Sequence, residues 1–244
     1  MTGDDLAKKA QQIAEQYNTL YISGCFGAPM TAANKKRYAT NNAYNRRPER
    51  QAKIYAAAAN TFGFDCCGLI KALLWGWTGD PSKIYGGAVY KSNGVPDLSE
   101  AGLWASCLNR SQDFAGKVIP PGAFLYMPGH CGVYIGNGLA AEATPKWSDG
   151  VQLSAVSNLG PSPGYNARTW TGWGLLPWLD YSAPDPLPVN VKEFNLLCNG
   201  LDKTARGIYE GGNWYIRLRD LEERLDIATV TYNPVQGLPV VNSK

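Results

Sequence analysis

Residues 62–77, Phe-Gly-Phe-Asp-Cys-Cys-Gly-Leu-Ile-Lys-Ala-Leu-Leu-Trp-Gly-Trp, constrain this chain more than any other stretch. Gly63 breaks the chain, Asp65 offers a cap, and an apolar run from Leu69 to Trp77 then recurs at helical spacing. The pattern predicts a buried helix with Cys66 and Cys67 in its first turn. A thiol there sees unpaired backbone N–H groups and the positive end of the helix dipole, both of which favour thiolate. Such positions bring a cysteine pKa down to roughly 3.5–7.5, and the thiolate is the nucleophile.

A nucleophilic thiolate needs a base, and here composition narrows the choice, because the chain has one histidine, His130. It lies in Pro-Gly-His-Cys-Gly-Val-Tyr-Ile-Gly-Asn-Gly, a short alternating stretch closed by a Gly-Asn-Gly turn. A Cys–His enzyme built from this chain must use His130. Taken singly, a buried helix cysteine is more often a small apolar packing residue, and a histidine beside a turn is more often structural. The combination is what points to catalysis.

The same two segments carry a resemblance. Asp-Cys-Cys-Gly-Leu-Ile resembles the Asp-Cys-Ser-Gly-Leu-Val nucleophile motif of the NlpC family of cell-wall cysteine peptidases. Gly-His-Cys-Gly-Val-Tyr-Ile-Gly-Asn-Gly resembles that family's Gly-His-Val-Gly-Ile-Tyr-Ile-Gly-Asn-Gly strand, in the same order along the chain. The likeness covers roughly residues 6–181. It implies a papain-like α+β fold, with the nucleophile helix packed on an antiparallel sheet. It also implies cleavage of peptidoglycan stem peptides, at the bond between D-glutamate and the diamino acid. On this alignment Cys66 is the nucleophile and Cys67 takes the serine position. Leu20-Tyr-Ile-Ser-Gly-Cys25 resembles the family's Tyr-x-x-Gly-Gly segment, with Cys25 in place of the second glycine, and implies that the Tyr21 hydroxyl helps to hold the oxyanion. Asp65, the helix cap, is grouped with Tyr21 on the oxyanion and substrate side. Pro121-Gly122-Ala123 departs from the family's Pro-Gly-Asp, where the aspartate is structural.

The imidazole needs an acceptor on its second nitrogen to fix its tautomer. If the turn after β-strand residues 130–135 comprises Gly136, Asn137 and Gly138, Ile135 faces Leu139 and His130 opposes Thr144. Glu142 then lies diagonally on the same face as His130, within reach of it, whereas a one-residue slip would turn it away. The family has His, Asn or Gln at this position, so a glutamate is a departure, though a carboxylate also stabilises imidazolium.

Elsewhere the chain sets bounds. A net charge of +3 gives no argument for nucleic acid, and no run approaches the ~20 apolar residues of a membrane helix. The six cysteines are irregularly spaced, with no repeated Cys-x-x-Cys, so neither a disulfide framework nor a zinc site nor any other cofactor is expected. Met1-Thr-Gly-Asp-Asp lacks the basic start and apolar stretch of a signal peptide. Action at the bacterial cell wall would then require release of the phage-endolysin kind, or a leader already removed.

Residues 4–17 read as an amphipathic helix and 28–51 as an inserted polar loop carrying a solvated charge run. A helix is expected near Ser99–Asn109, and strands at 120–127, 147–154 and 170–181. Ser182-Ala-Pro-Asp-Pro-Leu-Pro188 is a stiff linker, dividing a catalytic domain at 1–181 from a small module at 190–244, with 182–189 between. In that module 207–226 reads as a hairpin strand running into a helix. Asn-Trp-Tyr-Ile-Arg-Leu-Arg-Asp-Leu resembles the stalk-type repeat of the N-terminal part of copper amine oxidases, which implies a small α+β module for wall targeting or spacing. The rival readings are a muramoyl–L-alanine amidase of the CHAP type, and a non-catalytic wall-binding protein.

Overall fold

The computed structural model describes residues 1–181 and, beyond them, the backbone of strands at 191–198, 201–210, 213–216, 228–233 and 238–243. The chain divides into two compact units, Met1–Tyr181 and Ser182–Lys244, and the first is a mixed α+β body.

Helix α1 (Gly3–Gln16) starts from a reciprocal cap. The Thr2 hydroxyl accepts from the Asp5 N–H, and the Asp5 carboxylate accepts from the Thr2 N–H. Leu6, Ala10 and Ile13 recur at helical spacing and are buried. Strands β1 (Thr19–Tyr21) and β2 (Phe26–Pro29) follow, then helices α2 (Ala32–Tyr38) and α3 (Pro48–Ala56). These two helices correct the expectation of an inserted loop over 28–51. Thr31 caps α2, and Pro48 opens α3, where its missing N–H costs nothing. Asn34, Tyr38, Arg50 and Ile54 are buried. Arg50, expected to be solvated, instead makes a 2.7 Å ion pair with Asp149 and donates to the Tyr21 carbonyl. A buried guanidinium persists only with such partners.

Strand β3 (Phe62–Phe64) runs parallel to β1 and antiparallel to β2, giving a small sheet ordered β1-β3-β2. It leads directly into α4 (Cys66–Leu74). Next come α5 (Glu100–Ser106), capped by Ser99, and strands β4 (Leu108–Ser111), β5 (Phe124–Met127), β6 (His130–Gly136), β7 (Leu139–Thr144), β8 (Gly150–Val156), β9 (Ala167–Arg168) and β10 (Gly172–Leu175). They form one sheet, β4-β10-β5-β6-β7-β8-β9, antiparallel except between β8 and β9. The strand expected at 147–154 begins only at Gly150, because Trp147 and Asp149 take left-handed backbone in the preceding turn.

Helix α1 packs across β6, β7 and β8, and α4 across β6 and β7. On that side Leu6, Ile13, Leu69, Leu73, Phe124, Val133, Ala141 and Val151 join one core. A second cluster contains Leu125, Tyr134, Ala140, Val156, Trp170 and Trp173. Both faces of the central strands are therefore covered, which is why β6 and β7 read as nearly continuous apolar runs. Gly68 shows how close α4 lies to its neighbours: a Cβ there would stand 2.0 Å from the Cys25 carbonyl oxygen. The two ends of this unit meet, since the Gly3 N–H donates to the Asp180 carbonyl at 2.8 Å.

The second unit contains a long hairpin of β11 (Val191–Cys198) and β12 (Leu201–Glu210), extended by β13 (Asn213–Ile216), and a separate pair, β14 (Ala228–Asn233) with β15 (Leu238–Ser243). The hairpin expected within 207–216 is β12–β13, with Glu210 opposite Asn213. The helix expected after it and the proline-rich linker lie outside the described residues. Among the described residues no helix is long and apolar enough to cross a membrane.

Candidate active site

Asp65 sets the head of α4. One carboxylate oxygen accepts from the Gly68 N–H and the other from the Gly24 N–H at 2.6 Å, tying the helix start to the β1–β2 connection. Burial, reinforced by the nearby Cys66 charge, raises the Asp65 carboxyl to about 6 despite those bonds. Cys66 is the first helical residue and only 8% exposed. Hydrogen bonds from Cys131 and Cys67, with a further one from His130, hold its thiol far below the ordinary cysteine range. Cys67 moves the other way: although Cys131 also bonds to it, the adjacent Cys66 charge and burial raise it. A single proton-poor sulfur in this group is the expected result, because neighbouring thiolates disfavour one another.

His130 opens β6. Its Nε2 lies 2.6 Å from Oε2 of Glu142, leaving Nδ1 for Cys66, with which the ring also hydrogen-bonds. Burial alone would lower the imidazole; the bonds to Cys66 and Glu142 outweigh it and raise the ring above its usual value. The turn is tighter than expected. Gly136 rather than Ile135 faces Leu139, so the loop is Asn137-Gly138, both with left-handed backbone. An irregularity at Ile135 absorbs the extra residue, and from Tyr134 opposite Ala140 onward the register is the one that sets Glu142 diagonal to His130.

Glu142 is fully buried and surrounded by donors. Besides His130 it accepts from Ser154 on β8 and from Arg168 on β9, whose Nε stands 2.7 and 2.9 Å from its two oxygens. Those bonds overcome the burial that would otherwise neutralise it and keep the carboxyl below the usual range. Trp170 stacks on the imidazole at 5.6 Å and 14°, and covers Gly132, where a Cβ would stand 2.9 Å from its ring. Tyr21 is half-buried with its ring edge-on to Tyr44, and its hydroxyl is raised by burial and then by the Cys66 charge, which places it near the sulfur.

Cys66, His130 and Glu142 thus form one connected group, with Asp65 behind the helix start and Tyr21 beside it. Sequence reasoning missed Ser154, Arg168, Trp170 and Cys131. Strand alternation puts Cys131 on the face opposite Gly132 and toward α4, and its sulfur lies 3.7 Å from that of Cys67. The described cysteines, Cys25, Cys66, Cys67, Cys107 and Cys131, are all unpaired thiols. No family model matches this chain, and no match is found among curated proteins or solved structures.

Proposed function

We propose that this chain is a cysteine peptidase of the papain-like, NlpC type that hydrolyses peptide bonds in bacterial peptidoglycan. The observation that carries the reading is the connected array of Cys66 at a helix head, His130 within hydrogen-bonding reach, and a buried Glu142 on the far imidazole nitrogen. The three groups meet the requirements of an activated nucleophile, a base and a residue that orients the base.

In this reading Cys66 thiolate adds to the scissile carbonyl carbon, and the carbonyl electrons pass to oxygen. The Cys66 backbone N–H and the Tyr21 hydroxyl hold that oxyanion, each donor contributing about 3–4 kcal/mol in comparable sites. Protonated His130 gives its proton to the leaving amine as the C–N bond breaks. Neutral His130 then takes a proton from water, which attacks the thioester and releases Cys66. Glu142 positions the ring and stabilises its charged form, and Arg168 and Ser154 keep Glu142 ionised.

The substrate class rests on the sequence resemblance at Asp65–Ile70 and Gly129–Gly138. The test is mass spectrometry of the fragments released from purified sacculi. New N-termini at the diamino acid support a D-glutamyl endopeptidase, and free muramoyl ends with intact stems identify an amidase instead. No release by wild type, with folding verified, refutes both.

A further inference from the structure

The sulfurs of Cys66, Cys67 and Cys131 all lie within 4.8 Å of one another, with separations of 4.0 Å between Cys66 and Cys67 and 3.7 Å between Cys67 and Cys131. A peptidase of the proposed kind uses one thiol, so two are left without a role. Their spacing has a chemical meaning. Thiolates bound tetrahedrally to zinc at about 2.3 Å stand about 3.8 Å apart. Hydrogen bonds between neutral thiols would bring two sulfurs this close, but do not call for a third.

His130 adjoins Cys66 but stands outside the group, because strand alternation turns it to the face opposite Cys131. Its Nε2 is held by the Glu142 carboxylate at 2.6 Å. Cys131 is fully buried, and Cys66 and Cys67 are each 8% exposed. Cys131 is thus the innermost of the three, and Cys66 and Cys67 the more exposed.

We propose that Cys66, Cys67 and Cys131 bind one thiophilic divalent cation of the zinc class, with solvent as fourth donor. Each ligating thiol releases its proton to solvent. The bound ion takes the Cys66 lone pair that hydrolysis requires, so it acts as a reversible stop. That consequence rests on the peptidase reading; the binding does not.

The experiment uses the full chain, reduced and stripped of metal, titrated with Co2+ and then with Zn2+. We expect thiolate-to-cobalt charge-transfer absorption that saturates at one ion per chain and is abolished by one equivalent of Zn2+. Cys67→Ser and Cys131→Val should each weaken binding by more than about tenfold, as for loss of a ligand. Cys198→Ser should bind like wild type. Absence of the absorption, its persistence in the Cys67→Ser/Cys131→Val double variant, or its loss in Cys198→Ser overturns the proposal. If a site variant fails to fold, X-ray absorption of the zinc-loaded wild type decides: a sulfur-rich shell supports the site, and a shell of oxygen and nitrogen alone overturns it. The fragments released by metal-free protein test the peptidase reading separately.

Discussion

Glu142 is where stability and function are most tightly joined, so Glu142→Ala is the informative perturbation. The change removes a fully buried carboxylate and leaves Arg168, His130 and Ser154 facing a void. Deleting one partner of a buried ion pair costs about 3–5 kcal/mol. The lower end applies here. Arg168 and His130 are each 13% exposed and can draw water, and Arg168 retains Thr144 and the rings of Trp147 and Trp170. A loss of about 3 kcal/mol in a body of this size lowers its unfolding midpoint by about 6–12 °C. Glu142→Gln keeps the shape and one acceptor for His130 but no charge for Arg168, and should cost about 1–2 kcal/mol. The assay is thermal unfolding of the full chain at neutral pH by near-ultraviolet circular dichroism, completed by Arg168→Met and the double variant. In the double variant the Arg168 charge is no longer stranded, so the losses should fall short of additivity by more than about 1 kcal/mol. A Glu142→Ala midpoint within about 2 °C of wild type, or strictly additive losses, would refute the account of a buried charge held by its donors.

Cys66→Ser should abolish release of wall fragments without changing the far-ultraviolet spectrum, whereas Cys67→Ser should stay active; equal activity in both would remove the assignment of the nucleophile. His130→Ala should lose at least about 100-fold in rate, in line with general-base contributions, and a fully active variant would exclude a Cys–His mechanism. Because Cys66 is held low and His130 high, the active pair is thiolate with imidazolium, and the rate should form a plateau across neutral pH. A rate that rises only through about pH 8.5, where an ordinary thiol ionises, would contradict this. Stability follows with its own sign: the raised His130 contributes stability present below about pH 6.5 and lost as pH rises through its folded value, which pH-dependent urea midpoints would register. A chain ending at Tyr181 should cleave soluble muropeptides at a similar rate; loss of folding would place part of the second unit in the catalytic body.

Much of the architecture was legible because it is local. The Leu6, Ala10 and Ile13 spacing and the Asp65 cap each contain their own instructions, and α1 and α4 formed where those residues put them. Glu142 was within reach of the sequence because strand register is arithmetic, although the turn length differed and a compensating irregularity restored the pairing. What stayed hidden is long-range. Arg50 reads as one more solvated cation until Asp149, far along the chain, arrives beside it. Arg168 sits in a two-residue strand with no pattern to announce it, and Trp170 reads simply as another apolar residue. Cys131 alternates as any strand residue would, and nothing in spacing reveals that a helix head carrying two more thiols packs against it.

The meeting of Gly3 with Asp180 has a topological consequence. With residues 1–3 and 179–181 paired side by side, a short linker would close the first unit into a ring, and chain order becomes a matter of where that ring is opened. Val118, 94% exposed on the connection between β4 and β5, marks one place where it could be opened instead. Cut there and with Tyr181 linked back to Met1, the same body would present its histidine strand first and its cysteine helix second. The order in which the two motifs are met along the sequence is therefore a property of the opening, while their proximity belongs to the closed fold.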